Sequence, residues 1–481
     1  MVLQMLRPHQ TDANYHEGAD SQRFVRRHGL RTFTRSVAGG SLACLVVLLL
    51  WPQLFAAEPG WAKKHLGWAR VLTGDEPHYL VLVNSILNDG DLDLKNNYES
   101  VLEGSQQAGA RFAFSNLDHH VSYYINGERR VWAELFVPNM FYWPRGANGH
   151  RVPLLRPGVD RSLATVPEYS SHPVGVAFLL APFLVAFRNT RMLEPVAILL
   201  SGLSTVFAML LYRRMLFKFT SDRFAIYLCL FGVFLGTPIW YYSRTFFNEP
   251  FILLAVVGLY ALSVTRKNPI LTGSFLAAGM LMKPQLLLLS IPLLIPDLIR
   301  RDWKRIVGLL VMPFLAGLVI LYWNHHMYGS LLRGPYPFYR GNILSGAWGL
   351  VFSQKHGLLS WAPALFLGVL GWRSLIKSQP GDAAMAGIGF LIIFALTSWW
   401  AYWDGGYCFG PRLIVPILPL LGLGLVMVPG LRFFQNRPSR LLLVAIVAIS
   451  IAINYAAVRR YWDFVGDTAS LASVVLFWTG N

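Results

Sequence analysis

The sequence predicts an all-α polytopic membrane protein with about eleven transmembrane helices, within a range of about 10–13. Three observations predict it. Of the 481 residues, 54% are hydrophobic and only 14% are charged, and mean hydropathy is +0.43, a balance that suits lipid better than a soluble core. Apolar runs recur along most of the chain. The formal charge of +17 is spread as basic residues that punctuate those runs and form no long block. It therefore reports membrane topology beside anionic headgroups, with no nucleic acid as partner. Cys44, Cys229 and Cys408 lie far apart without metal-like spacing, so neither a disulfide framework nor a zinc site is indicated.

The elements follow in order. Residues 1–36 form a polar cytoplasmic tail rich in arginine (Arg23, Arg26, Arg27, Arg31, Arg35). Residues 37–55 are read as a retained first span, because no small-residue cleavage site follows them. A long external loop, 56–192, is too polar to cross and too rich in Pro and Gly for one core. Amphipathic juxtamembrane helices are expected in it, with 77–88 sorting Val81, Leu82, Ser85, Ile86 and Asn88 between two faces. The transmembrane core, 193–457, contains apolar runs near 193–212, 222–241, 250–265, 269–283, 284–298, 305–322, 358–373, 384–402, 411–430 and 440–457. Residues 458–481 are expected as an external tail.

The apolar piece 172–187 decides the orientation. As an interfacial or re-entrant helix it leaves Arg213, Arg214, Lys218, Arg223, Arg266, Lys267, Arg300, Arg301, Lys304, Arg305, Arg373, Lys377, Arg432, Arg437 and Arg440 on the cytoplasmic side with the N-terminus. Short loops then obey the positive-inside bias.

On this topology the unusual polar residues share the outer face. Asp75, Glu76, His78 and Tyr79 follow the first span, and Arg244 and Glu249 occupy a later turn. Lys283 sits at a hinge between two short apolar runs. Arg333 and Arg340 lie in an aromatic loop, and Arg412 follows Gly410-Pro411. Carboxylates beside several cations suit general-base chemistry next to a bound phosphate. The base takes a proton from an acceptor hydroxyl, while Arg or Lys meets charge growing on the leaving phosphate. Each residue also has a plainer reading. Asp75 or Glu76 caps the helix starting near Pro77, Arg244 and Arg412 anchor span ends by snorkelling, and Glu249 is an acid favoured by a helix dipole. His119-His120 and His325-His326 have no acidic partners at metal spacing and are read as loop residues.

Gly74-Asp75-Glu76-Pro77-His78-Tyr79 followed by Asn88-Asp89-Gly90-Asp91 resembles the first-loop signature of the GT-C glycosyltransferases. The branch it is most similar to is the protein mannosyltransferase and aminoarabinose-transferase group (glycosyltransferase family 39-like). Ser171-His172-Pro173, Tyr242-Ser243-Arg244-Thr245 with Glu249, Gly279–Pro284 and Gly410-Pro411-Arg412 resemble later motifs of that superfamily. Two features depart from the pattern: Val174 stands where a second proline is usual, and Glu249 falls later than a metal-binding acid would. The resemblance implies inverting transfer of a sugar from a polyprenyl-phosphate donor to a lipid, glycan or protein acceptor at the extracytoplasmic face of a bacterial inner membrane. It implies Asp75 as base with Glu76 beside it. His78, Tyr79, His172 and Glu249 would contact acceptor or sugar, and Arg244, Lys283, Arg333, Arg340 and Arg412 the donor phosphate. A divalent metal (Mg or Mn) held by Asp75 and Glu249 stays an open alternative, as do a transporter or flippase and a non-catalytic assembly protein.

Overall fold

The computed structural model describes residues 39–51, 75–97, 167–190, 192–335, 338–406, 408–459 and 470–479, with the backbones of short strands at 120–125, 128–133, 141–142 and 154–155. The tail 1–36, His119 and Tyr336 lie outside the described residues. The chain divides into two compact units, Met1–Leu48 and Leu49–Asn481. The apolar helix α1 (Gly39–Trp51) runs across that division, and all elements below belong to the second unit.

Helix α2 (Glu76–Asn88) carries proline in its first turn, where the missing N–H costs nothing. It does not lie on a surface as an amphipathic helix. Its residues from His78 to Ser85 are all buried, and it packs on α3 (Gly175–Leu184). Its apolar run Tyr79–Val83 is continuous, not periodic, so it suits burial on all sides. Beyond it, Asp93 Oδ1 accepts the Glu168 and Lys95 N–H groups at 2.9 and 3.2 Å. Burial still raises that carboxyl above its ordinary range.

The long loop also contains strands that the helical expectation omitted. Strands β1 (His120–Ile125) and β2 (Glu128–Ala133) pair antiparallel with Ile125 opposite Glu128. A second small sheet joins β3 (Phe141–Tyr142) to β4 (Leu154–Leu155), and β5 (Tyr169–Ser170) adds to β1. Asn126-Gly127 between two runs rich in Val, Tyr and Trp is a hairpin signal that the sequence carried.

Helices then dominate: α4 (Leu193–Phe219), α5 (Arg223–Leu230), α6 (Ile239–Tyr242), α7 (Glu249–Val264), α8 (Pro269–Met282), α9 (Ser290–Ile299), α10 (Trp303–Tyr328), α11 (Ile343–Phe352), α12 (Leu358–Trp361), α13 (Pro363–Ser378), α14 (Pro380–Trp399), α15 (Leu418–Gly422), α16 (Arg437–Arg459) and α17 (Leu471–Thr479). Among the described residues, five helical segments are long and apolar enough to cross a membrane: Leu193–Phe219, Trp303–Tyr328, Pro380–Trp399, Arg412–Gly430 and Arg437–Arg459. The protein is a multi-pass membrane protein. The region 172–187 forms only α3 and a following 3-10 turn, Val185–Phe187. At about 1.5 Å per residue these are too short for a ~30 Å hydrocarbon layer.

Several boundaries differ from expectation. Helix α10 continues to Tyr328, with His325 and His326 in its last turn, so these histidines are helical and not in a loop. Helix α11 lies between the expected spans 305–322 and 358–373, where the aromatic loop was expected, and α17 lies inside the external tail; both are apolar and shorter than a full crossing. The run 411–430 is mostly 3-10 helix, because Pro416, Pro419 and Pro429 remove backbone donors from the regular ladder.

Helix α7 packs on α4 and α8, and α8 on α10. A Cβ on Gly273 of α8 would fall 2.3 Å from the Leu309 carbonyl of α10, so only glycine permits that approach, as in lipid-embedded helix pairs. Charges collect at the two ends of these helices. At the C-terminal end of α7, Lys218 Nζ meets Asp382 at 2.6 Å and donates to the Val264 carbonyl at 2.8 Å. Nearby in sequence, Arg266 and Arg305 both reach Asp297 at 3.0 Å. The opposite end of α7 carries Glu249. The 16 residues between correspond to about 24 Å.

Candidate active site

Four backbone devices bring the charged residues together at that opposite end. Asp75 precedes α2 and makes no capping hydrogen bond with its side chain, so the plain cap reading fails for it. Glu249 is the first residue of α7, placed by Pro250 in the first turn. Lys283 ends α8 in an extended conformation, φ −144° and ψ 97°, because Pro284 disfavours the helical region for the residue before it. Arg412 opens a 3-10 segment two residues after Gly410, whose φ is +58°.

The resulting contacts alternate in sign. His172 Nδ1 lies 3.6 Å from Asp75 Oδ2. The same Asp75 oxygen accepts from Arg412 Nη2. Arg412 Nε donates to Glu249 Oε1 at 3.0 Å, and Lys283 Nζ lies 3.5 Å from that same oxygen. The Arg412 guanidinium also stacks over Phe247 at 4.1 Å. Glu249 is fully buried, whereas the Asp75 side chain is 23% exposed. A buried guanidinium shared by two carboxylates holds their geometry strongly, since removing either partner would strand charge.

The loop carrying Arg412 is itself clamped. The Tyr242 hydroxyl donates to the Phe409 carbonyl at 2.7 Å and accepts the Phe409 N–H at 3.2 Å. His356 Nδ1 lies 3.2 Å from the Gly410 carbonyl, and Trp361 and Tyr241 flank the Phe409 ring at 4.7 and 4.4 Å. Tyr242 opens a motif the sequence singled out, yet nothing in its residue type announced these contacts.

The remaining candidates divide. Glu76 is buried and its Oε2 accepts the Phe246 N–H at 2.9 Å, which ties α2 to the turn carrying Arg244. Arg244 is 1% exposed, so it does not snorkel to headgroups. His78 stacks on His172 at 5.5 Å, and Tyr79 approaches the same ring at 5.3 Å. Arg333 is exposed. Arg340 is exposed and lies over the Trp399 ring at 5.7 Å, occupied there and not in the buried cluster.

The arrangement does not suit a divalent cation between Asp75 and Glu249. Arg412 already bridges these carboxylates, and Lys283 adds a second positive charge beside them. Among the described residues no group of three or more His, Cys, Asp or Glu side chains is placed to hold a metal.

Fold and site together define a helical multi-pass membrane protein with a buried acid–base cluster at one end of its helices. No protein-family model matches the chain, and no curated protein does. Among solved structures it is similar to ArnT from Cupriavidus metallidurans in the apo state, at 14% identity and TM-score 0.48, covering 93% of this chain and 75% of that one. It is also similar to that protein bound to undecaprenyl phosphate, at 14% identity and TM-score 0.43, covering 92% and 74%.

Proposed function

We propose that this chain is an inverting glycosyltransferase that moves a sugar from a polyprenyl-phosphate donor to a lipid, glycan or protein hydroxyl at the extracytoplasmic face of a bacterial inner membrane. The observation that carries the reading is the junction of Asp75, Arg412, Glu249 and Lys283. It unites the acid of the first-loop motif with two cations from distant segments. Asp75 is the partly exposed member, so it is the one an acceptor can reach.

In the reaction Asp75 takes the proton of the acceptor hydroxyl as the acceptor oxygen attacks the anomeric carbon. The bond from that carbon to the phosphate oxygen breaks on the opposite side. The electron pair leaves with the polyprenyl phosphate, whose charge is met by Arg412 and Lys283. His172 orients Asp75, with His78 and Tyr79 packed on its ring. Glu76 positions the turn that carries Arg244. The Arg266–Arg305 end of the helices faces the cytoplasm, the end carrying Asp75, Glu249 and Arg412 faces outward, and 193–457 is the transmembrane core. The two separated charge layers support this orientation.

Purified protein incubated with radiolabelled polyprenyl-phosphate sugars and a membrane extract should pass label to an extract component. Asp75→Asn should cut that transfer roughly 10²- to 10⁴-fold, the usual span for a lost general base, while the fold persists. Full transfer by this variant removes Asp75 from the role.

A further inference from the structure

We propose that Asp75 and Glu249 act as stand-ins for the donor phosphate, so that the lipid phosphate has to displace carboxylate from Arg412 before Asp75 can work as a base. The inference rests on the proposed glycosyl transfer and adds an order of events to it.

The charge inventory leads there. Two carboxylates, Asp75 and Glu249, are matched by two basic side chains, Arg412 and Lys283, in a largely buried group. Two of the three guanidinium nitrogens of Arg412 are engaged by acid, Nε by Glu249 and Nη2 by Asp75, and Phe247 covers one face of the plane. A phosphate entering this cluster finds its cations already answered. It gains their full attraction only if a carboxylate withdraws.

The two carboxylates are unequally held. Glu249 is fully buried at the start of α7, bonded through Oε1 while its buried Oε2 has no hydrogen-bond partner. Asp75 is partly exposed, meets His172 Nδ1 only at 3.6 Å besides its bond from Arg412, and its side chain gives no capping bond to its own helix. Asp75 is therefore the member that moves. A carboxylate oxygen engaged by a guanidinium is a poor proton acceptor, so the same departure that admits the phosphate arms the base. Donor binding comes first and acceptor deprotonation second.

Competition predicts an effect that a structural clamp does not. With the protein in lipid nanodiscs and undecaprenyl phosphate as probe, Asp75→Asn should bind the probe more tightly than wild type, by roughly tenfold, because one competing charge is gone. Glu249→Gln should do the same, and Arg412→Gln should lose binding. Each variant is checked for an unchanged melting transition before titration. Equal or weaker binding by both folded carboxylate variants overturns the displacement scheme, because Asp75 and Glu249 would then merely hold Arg412 in place. The two readings separate cleanly. An Asp75→Asn protein that transfers no sugar and binds the probe no better keeps the base and sinks the displacement, whereas one that still transfers sugar sinks the base.

Discussion

Arg412 is reached from three directions, by Asp75, by Glu249 and by the face of Phe247. Its position depends on Gly410, which holds φ +58° and whose missing Cβ would lie 3.1 Å from Pro238 Cγ. A left-handed conformation costs an alanine about 1–2 kcal/mol, and the contact with proline adds to that. Gly410→Ala is expected to lower the melting temperature and to weaken donor-phosphate binding together, because the turn that places Arg412 must shift. A variant that melts lower yet binds polyprenyl phosphate like wild type would detach Gly410 from the site. Sequence reading found Asp75, Glu249, Lys283 and Arg412 by their chemistry. It could not rank them against Arg333 and Arg340, because an arginine in an aromatic loop looks alike whether it is buried with acids or laid over an indole.

Among elements, the break between α8 and the 3-10 turn Pro284–Leu289 matters most for the site. Met282 ends α8, Lys283 is extended, and the chain restarts at Pro284. A proline whose restriction on its predecessor is lifted lets that residue return to helical geometry. Pro284→Ala is therefore expected to carry Lys283 away from Glu249 and to reduce polyprenyl-phosphate affinity several-fold, read in nanodisc titrations. Unchanged affinity would mean that packing, not proline, fixes the lysine. Helix α2 teaches a different lesson. Its existence was legible from Pro77 and the apolar run. Its environment was not, because a short apolar run such as Tyr79–Val83 can sink into a membrane surface or be enclosed by helices, and packing on α3 decides between them. The β1–β2 hairpin was legible through Asn126-Gly127, but its signal lay within a long polar loop read for helical faces.

At the scale of the whole molecule, basic residues assigned to the cytoplasm from loop charge meet acids at one end of the helices. Lys218 with Asp382, and Arg266 and Arg305 with Asp297, make that layer. The candidate site lies at the other end of α7. Single cysteines introduced at the exposed positions Arg300 and Arg333, after the three native cysteines are replaced, should therefore label oppositely. A membrane-impermeant maleimide should modify the Arg333→Cys protein in intact cells and the Arg300→Cys protein only after permeabilisation. Equal labelling of both from outside would overturn the assigned orientation.

Hydropathy, basic punctuation and a short acidic motif were enough by themselves to specify a helical membrane protein, its charge asymmetry and the acids and cations worth testing. These are local properties, written in residue type and spacing. Which of them meet was decided only by tertiary packing. Asp75 and Arg412 stand 337 positions apart in the chain, and no periodicity encodes a contact at that separation. Their meeting follows from how α2, α7, α8 and the Arg412 turn pack, a choice made by shape and by the penalty for burying unpaired charge.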